Sequence, residues 1–318
     1  MNLAIVGYGS IAKLHERVLD ELAEETGSRL VAIADPEREH PDSHIYSFRT
    51  HEDLFASQEV DVDAVIIATP HSTHAHIARD ALLARKDVFL EKPPTLQMKD
   101  LNDLERIAAA QGNVLFTGLH TRYRPEVGAA KKALEHEEVR SIHVRYAEDA
   151  LRWHGDHASW VLDPAIAGGG ALIDSGINAV SVITYILPSL EYRVLFCRKY
   201  HQENIRVETS VKVEFEFGNK GVGAIQMDWL YKGAEARQIL VQTASLHYFL
   251  IDLVQGQLQK DGQVISGSQE GSRAEVDLAL EYRSLFRDFF EHLRRRVSFV
   301  SKKELQFVLD AYAVATSA

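Results

Sequence analysis

Two ionisable side chains in this sequence lie in settings where they could move a proton. The first is Lys92, in the run Leu90-Glu91-Lys92-Pro93-Pro94. The two prolines cannot continue a central strand, so Lys92 is predicted at the carboxyl end of the strand that precedes it. That edge is where parallel α/β sheets bind ligands. Taken alone, such a lysine is more often a surface residue in a polar turn.

The second is Asp174, which follows the run Gly168-Gly169-Gly170 and precedes Asn178 by four residues. The segment is predicted to continue as an apolar helix until Pro188 stops it. A spacing of four places both polar side chains on one helical face. An acid and an amide on an apolar helix need partners. They bond each other, cap the helix start, or face a ligand.

The elements before Lys92 predict which kind of ligand would lie beside it. The apolar run Leu3-Ala4-Ile5-Val6 is typical of a strand buried on both faces. Gly7-Tyr8-Gly9-Ser10-Ile11-Ala12 follows as a G-x-G-x-x-A pattern before a helix. Gly7 would permit a tight turn, and Gly9 would let backbone amides approach a pyrophosphate. This strand, loop and helix predict a dinucleotide site that includes Gly7, Gly9, Ser10 and Ile11.

Asp35 stands at the end of the next predicted strand, Leu30–Ala34. An acidic residue at that place accepts hydrogen bonds from the adenosine ribose and repels a 2′-phosphate. The alternative is a turn or N-cap aspartate before Pro36. NAD is therefore the preferred cofactor. NADP stays an alternative, because Arg38 lies close to Asp35.

The strand Ala64–Ala68 ends in a polar loop that is predicted to wall the nicotinamide pocket. The predicted cofactor contacts here and at the next strand end are Thr69, Pro70, His71, His74, Glu91 and Lys92. Three histidines in this loop, His71, His74 and His76, could suggest a metal. No carboxylate or thiolate accompanies them at ligand spacing, so no metal is expected.

A helix near Leu96–Ala110 and the strand Val114–Thr117 continue the alternation of strands and helices. That alternation predicts an α/β fold with a doubly wound parallel sheet, a Rossmann domain over residues 1–120. His120 lies just past the last strand, where the chain is predicted to leave the domain.

Residues 121–318 have a different pattern and are predicted to form a substrate-binding and oligomerisation domain. Val207–Phe217 alternates between apolar and polar residues, which is typical of a half-exposed antiparallel strand. The further predicted strands are Ile142–Tyr146, Arg193–Cys197, Val222–Tyr231 and Gln238–Thr243, and the predicted helices are Leu278–Leu293 and Lys303–Thr316. We expect an α+β domain with one large, open, mainly antiparallel sheet. A second subunit would cover the open face, and the C-terminal helix is a candidate to pack back on the first domain.

The whole chain excludes several classes of function. Its 318 residues suffice for two domains, and its contents of 46% hydrophobic and 25% charged residues are ordinary for a globular protein. The formal net charge of −11 argues against a nucleic-acid or anionic-membrane partner. Cys197 is the only cysteine, so no intrachain disulfide forms, which suits the cytoplasm. No apolar run is expected to span a bilayer, and no leader segment is expected before the first strand.

The motifs together resemble the Gfo/Idh/MocA oxidoreductases over essentially the whole chain. They are the G-x-G-x-x-A opening, the E-K-P motif at Glu91-Lys92-Pro93, and a G-G-G-x-L-x-D-x-G motif at residues 168–176. Within that family the chain is similar to the bacterial aldose 1-dehydrogenases. The supporting residues are Glu148-Asp149, Arg152-Trp153-His154, Asp174 to Ala179, Asp228-Trp229 and Gln242-Thr243-Ala244. Many members have a histidine four residues after the motif aspartate, whereas this chain has Asn178, as the aldose 1-dehydrogenases do.

The resemblance implies NAD(P)-dependent oxidation of an aldose at its anomeric carbon to the aldonolactone, with L-arabinose, D-galactose or D-fucose as substrate. It implies that Lys92 and Asp174 are catalytic, and a lysine serves as a base only where its neutral form is favoured. Which of the two accepts the proton stays open, because coupled groups share their protons. The residues implied to bind the sugar are His120, Glu148, Trp153, His154, Asn178 and Trp229. A homo-oligomer, dimer or tetramer, is also implied.

Two alternatives stay open. The enzyme could act on the hydroxyl of another sugar, a polyol or a dihydrodiol. Some relatives are instead non-catalytic dinucleotide-binding regulators, which need not keep both Lys92 and Asp174.

Overall fold

The computed structural model describes residues 1–150, 160–218, 220–267 and 278–317. Within that description the chain forms two compact units. The first comprises Met1–Leu119 and Leu278–Lys302, and the second comprises His120–Asp277 and Lys303–Ala318.

The first unit contains a parallel sheet of six strands. The strands are β1 (Asn2–Val6), β2 (Arg29–Ala34), β3 (Tyr46–Phe48), β4 (Ala64–Ile67), β5 (Asp87–Glu91) and β6 (Leu115–Gly118). Their order is β3-β2-β1-β4-β5-β6, and every pair is parallel. The order reverses between β1 and β4, which is the switch point at which such sheets bind ligands. The predicted Rossmann sheet is therefore confirmed.

Four helices of this unit lie within residues 1–119: α1 (Ser10–Thr26), α2 (His51–Ala56), α3 (His74–Leu83) and α4 (Met98–Gln111). Helix α1 buries Ala12, Val18, Leu19 and Leu22 on one face. The central strands are buried throughout, because helices cover both faces of a doubly wound sheet.

The second unit contains a sheet of nine strands. They are β7 (Val139–Ala147), β8 (Tyr192–Tyr200), β9 (Ser210–Phe217), β10 (Gly221–Asp228), β11 (Ala236–Thr243), β12 (Tyr248–Asp252), β13 (Gln257–Lys260), β14 (Gln263–Ser266) and β15 (Ala315–Ser317). The order is β14-β13-β12-β11-β7-β10-β9-β8-β15. Neighbours are antiparallel except for the parallel pairs β7–β10 and β8–β15. The predicted large, mainly antiparallel sheet is confirmed.

The helices of the second unit include α5 (Pro125–Leu134), α6 (Pro164–Ala167) and α7 (Ile177–Ile186), with a π-helical turn at Leu172–Gly176. The segment Pro164–Ile186 has the length and composition of a membrane span, contrary to the prediction that no run would reach it. The interior of the protein buries 78% of its most apolar window, as expected of the core helix of a globular domain.

The last two helices divide between the units. Helix α8 (Leu278–Arg295) belongs to the first unit, where Arg283 and Arg287 on it form ion pairs with Glu21 and Glu25 on α1. Helix α9 (Lys302–Ala313) belongs almost entirely to the second.

Several predicted element boundaries differ from the observed ones by up to three residues, and two of these differences change the structural assignment of residues. The last helix ends at Ala313 rather than Thr316, because Ala315–Ser317 pairs with β8 as a strand. Strand β9 begins at Ser210 rather than Val207, so Glu208 lies outside the alternating pattern and is buried instead of exposed. The short elements β3, α2, α5 and β12–β14 were not predicted.

Candidate active site

The first glycine of the loop after β1 is required by its geometry. Gly7 has a φ of 83°, and a Cβ atom there would lie 2.7 Å from both the Ala68 carbonyl oxygen and Thr69 Cγ2. Only glycine tolerates both the conformation and the close approach. Gly7 thus brings the glycine loop directly against the loop that follows β4.

The second glycine leaves the start of α1 open. Gly9 is the N-cap of α1 and makes no side-chain cap bond, and a Cβ atom there would meet nothing within 4 Å. The first-turn N–H groups of a helix have no partners inside the helix, and together they attract an anion. The open space over Gly9 and the N–H groups at the start of α1 therefore fit the pyrophosphate of a dinucleotide, the ligand predicted for Gly9, Ser10 and Ile11.

Asp35 is fixed at the end of β2 by main-chain donors. Its Oδ2 accepts a bond of 2.7 Å from the Tyr8 N–H, and its Oδ1 accepts bonds of 2.9 Å from the N–H groups of Glu37 and Arg38. Arg38 Nη1 lies 3.4 Å from Oδ2. Asp35 is 4% exposed, and its carboxylate is tied to the glycine loop through Tyr8. Asp35 and Arg38 therefore lie beside the predicted adenosine side of the cofactor site.

The loop after β4 contains residues that are predicted to line the nicotinamide pocket. Thr73 Oγ1 donates to the Pro70 carbonyl at 2.7 Å and is in hydrogen-bond contact with the Thr69 hydroxyl at 2.7 Å, which tightens the 3₁₀ turn His71–Thr73. His71 and His74 are both buried, and their rings lie 5.7 Å apart. His74 contacts main-chain carbonyls with both ring nitrogens. Its predicted contribution to the cofactor site is therefore indirect.

Lys92 directly follows β5 and is half-buried. The preceding side chain, Glu91, is buried and accepts a bond of 2.8 Å from the Tyr282 hydroxyl of α8 and one of 3.1 Å from the Lys92 N–H. His15 Nε2 of α1 lies 3.0 Å from the same carboxylate, without hydrogen-bond alignment. Glu91 thus serves the structure of the E-K-P turn, and Lys92 is the side chain that the turn presents.

In the second unit, Asp174 lies in the π-helical turn before α7 rather than in a regular α-helix. Glu208 holds the start of this turn, because its Oε1 accepts bonds from the N–H groups of Gly170 and Leu172 at 2.9 and 3.2 Å. The Tyr312 hydroxyl donates to the same oxygen at 2.7 Å. A Cβ atom on Gly170 would lie 2.1 Å from the Glu208 carbonyl oxygen, so the turn needs glycine there. Single π turns occur often at functional sites.

A second carboxylate, Glu148, holds the same turn from the other side. Ser175 Oγ donates to Glu148 Oε1 at 2.5 Å and accepts a bond of 2.7 Å from Trp229 Nε1. Arg237 Nη2 lies 2.8 Å from Glu148 Oε2. Glu148 and Trp229 are 5% and 1% exposed, and both contact the residue next to Asp174. The structure thus gives them a supporting role, and their contact with a sugar stays a prediction.

The remaining predicted sugar-binding residues differ in what the structure describes. His120 is buried in the 3₁₀ turn His120–Tyr123. Asn178 lies in the first turn of α7, and its Oδ1 is a buried atom without a hydrogen-bond partner among the described residues. Trp153 and His154 lie outside the described residues.

Sequence reasoning missed the residues that support the site: Ser175, Glu208, Arg237, Tyr282 and Tyr312. Ser175 could have been found, because it lies beside Asp174 inside the G-G-G-x-L-x-D-x-G motif. The others are distant in sequence from the groups that they hold. Among these distant residues, only Glu208 could have been noticed in the sequence, as an acidic residue at the very start of a predicted strand.

Two family models match this chain. The model of the oxidoreductase family with an NAD-binding Rossmann fold matches residues 1–119, and that of the GFO/IDH/MocA C-terminal domain matches residues 129–246. The chain belongs to the Gfo/Idh/MocA oxidoreductase family. As a member it is an oxidoreductase with an NAD-binding Rossmann domain, in agreement with the open helix start and the fixed acid at β2.

Individual relatives of this Gfo/Idh/MocA protein extend over its full length. The crystal structure of a D-galactose-1-dehydrogenase protein from Rhizobium etli is 31% identical, with a TM-score of 0.84, and the match covers 100% of this chain and 96% of that one. Galactose 1-dehydrogenase of Pseudomonas fluorescens is 26% identical, over 99% and 96% of the two chains. GenD2 from gentamicin A biosynthesis, solved in complex with NAD, has a TM-score of 0.81 at 23% identity over 99% and 93%, which shows a shared fold.

Proposed function

We propose that this oxidoreductase oxidises an aldose at its anomeric carbon to the aldonolactone, with a substrate of the L-arabinose, D-galactose or D-fucose type. The observation that carries the proposal is the likeness, over the whole chain, to the D-galactose-1-dehydrogenase from Rhizobium etli. The asparagine at position 178 supports it, because amide groups are suited to hydrogen-bond sugar hydroxyls but do not transfer protons as a histidine does.

The chain's own contribution to the reaction is proton removal. When bound, NAD supplies the acceptor for the hydride that leaves the anomeric carbon. The proton of the anomeric hydroxyl leaves at the same time, so that the C–O bond becomes the carbonyl of the lactone. In the proposal a neutral Lys92 or the Asp174 carboxylate accepts that proton, and the two act as one coupled pair.

The proposed sugar contacts come from polar atoms of the second unit. Asn178 Oδ1 needs a hydrogen-bond donor, since a buried acceptor without one costs about 1–3 kcal/mol. A sugar hydroxyl would supply that donor. His120, on the turn that begins the second unit, is the second proposed contact. Glu148 and Trp229 would act through Ser175, by keeping Asp174 in place.

For the cofactor we propose NAD ahead of NADP. The Asp35 carboxylate is held in place by three main-chain N–H groups, so it cannot easily turn away from a 2′-phosphate. Arg38 is the residue that would attract such a phosphate, and its Nη1 is already 3.4 Å from Asp35.

A panel of aldoses and polyols tests the proposal, with each compound offered with NAD and with NADP while nicotinamide absorbance is followed. We expect reduction of NAD with L-arabinose, D-galactose or D-fucose, a lactone as product, and little reduction with polyols. Turnover only with polyols or dihydrodiols would overturn the anomeric assignment. No turnover with any compound would favour a non-catalytic regulator.

We also propose a cytoplasmic homo-oligomer, a dimer or tetramer that forms through the open face of the nine-stranded sheet. That face carries Ala224, Leu240 and Leu250 among polar side chains: His143, Arg145, Lys212, Gln226 and Gln238. Val222 and Tyr248 are 54% and 46% exposed on the same sheet. A mixed face of this kind is suited to a second copy of the sheet. Light scattering during size-exclusion chromatography decides the oligomeric state.

A further inference from the structure

His74 occupies an unusual position between two loops of the first unit. It begins α3, its side chain is fully buried, and each ring nitrogen lies against a main-chain carbonyl. Nδ1 is 2.8 Å from the Pro93 oxygen, and Nε2 is 2.8 Å from the Thr69 oxygen. One carbonyl directly follows Lys92, and the other belongs to the loop that Gly7 approaches. The ring therefore connects two loops of the predicted cofactor site.

The loop that carries Lys92 needs a donor from outside. Pro93 and Pro94 have no N–H group, so this part of the chain cannot hold itself by main-chain bonds as an ordinary turn does. The loop after β4 is already held by the two bonds of Thr73 Oγ1. Of the two contacts of His74, the one to Pro93 is therefore the one that contributes most to the position of a loop.

The protonation of the ring decides how many carbonyls it holds. A neutral imidazole has one N–H and donates to one carbonyl, whereas the imidazolium donates to both. Burial lowers the pKa of His74, while the bonds to Pro93 and Thr69 and the charge of Glu91 oppose that shift. Lys92 adds to the lowering, and His71 is the neighbouring ring. A neutral ring with its proton on Nδ1 is sufficient to hold Pro93.

We propose that His74 is a positioning residue for Lys92: its Nδ1–H donates to the Pro93 carbonyl and so fixes the E-K-P turn against the loop after β4. The role of Lys92 as an acid–base group rests on the proposed function. The hydrogen bond from His74 to Pro93 lies within the first unit and does not depend on the substrate.

Two conservative variants distinguish the contact of His74 with Pro93 from its contact with Thr69. The amide nitrogen of an asparagine at position 74 takes the place of Nδ1, and that of a glutamine takes the place of Nε2. We expect His74→Asn to retain kcat within about threefold. His74→Gln should lower kcat about tenfold, which is the upper range for one hydrogen bond. NAD affinity, measured by fluorescence, should change little in either variant. His76→Gln is the matched control, because His76 lies on the same helix and is exposed.

Two readouts need no activity. Hydrogen exchange of the peptide that covers residues 88–97 should be faster in His74→Gln than in the parent, and unchanged in His74→Asn. In the parent, a ¹⁵N-edited spectrum should show a proton on Nδ1 of His74 at neutral pH, and this holds even if a variant fails to fold. An Nδ1 atom without a proton in the parent, or equal rates of hydrogen exchange in the two variants, would contradict the proposed hydrogen bond from His74 to Pro93. If the parent oxidises no sugar, the proposed function fails while these two readouts still decide the role of His74.

Discussion

The two proposed acid–base groups are supported in different ways. Lys92 is presented by a short turn whose main chain contacts His74, 19 residues earlier, although Tyr282 of α8 bonds the neighbouring Glu91 from 191 residues away. Asp174 lies in a π turn whose partners come from far away. Gly170 and Glu208 are 38 residues apart, and Ser175 and Trp229 are 54 apart. The contact to the main chain of the E-K-P turn thus spans fewer residues than the contacts at the turn of Asp174.

The difference follows from the sequences of the two turns. The E-K-P turn contains prolines, which restrict the chain before any partner is added. The turn before Asp174 follows three consecutive glycines, which restrict it least of all. Two buried carboxylates, Glu208 and Glu148, therefore supply from outside the order that the glycines do not provide. The comparison predicts that Lys92 tolerates distant substitutions better than Asp174 does.

Substitution of Lys92 tests the more locally supported group and should have the largest effect. Lys92→Met should lower kcat at least about 10²-fold, the usual contribution of one acid–base group, and leave NAD affinity nearly intact. Steady-state kinetics and fluorescence titration measure the two quantities. Lys99→Met, on the exposed side of α4, is the control. Turnover within a few-fold of the parent would remove Lys92 as the base.

The same comparison explains what could be read from the sequence. The glycine loop, Asp35 and Lys92 were found because each motif lies within a few residues, and a doubly wound sheet brings strand ends together. Among the supports of Asp174, the role of Glu208 could not be found, because the position of Glu208 depends on where β9 begins. Alternation along Val207–Phe217 placed Glu208 on the exposed face, although it accepts three hydrogen bonds in the interior.

Asp174→Asn asks whether the two groups share one proton. The change removes the charge but keeps the size of the side chain, and we expect kcat to fall about 10- to 10²-fold. If Lys92 and Asp174 act as one pair, the double variant should be about as slow as Lys92→Met alone, since groups that act as a unit are not additive. A double variant slower by the product of the two effects would show independent roles.

The cofactor side of the first unit should respond less strongly. Asp35→Ala removes a charged acceptor, and selectivity for NAD over NADP should fall about tenfold, as a bond to a charged group contributes about 1.5–3 kcal/mol. The ratio of kcat/KM for the two cofactors measures this selectivity. Asp42→Ala, in the same exposed connection, should leave the ratio unchanged. Unchanged selectivity in Asp35→Ala itself would mean that another residue discriminates.

The smallest effect should come from the distant support of Asp174. Tyr312→Phe removes one of three donors to the Glu208 carboxylate and leaves the two main-chain donors in place. We expect the free energy of unfolding to fall by about 1.5–3 kcal/mol, the usual value for one bond to a charged group. Denaturant unfolding measures it. The exposed Tyr200→Phe serves as the control.

The pH dependence of stability distinguishes this bond from ordinary packing. Burial, together with the charge and the hydrogen bond of Glu208, raises the pKa of Tyr312 well above its ordinary value. The folded state thus keeps the phenol protonated where the unfolded chain ionises, at about pH 10. The contribution of Tyr312 is therefore complete below about pH 10 and is lost as the pH rises further. The parent should lose stability more steeply above pH 10 than Tyr312→Phe does. Parallel curves for the two proteins would show that Glu208 holds the Asp174 turn through its main-chain bonds alone.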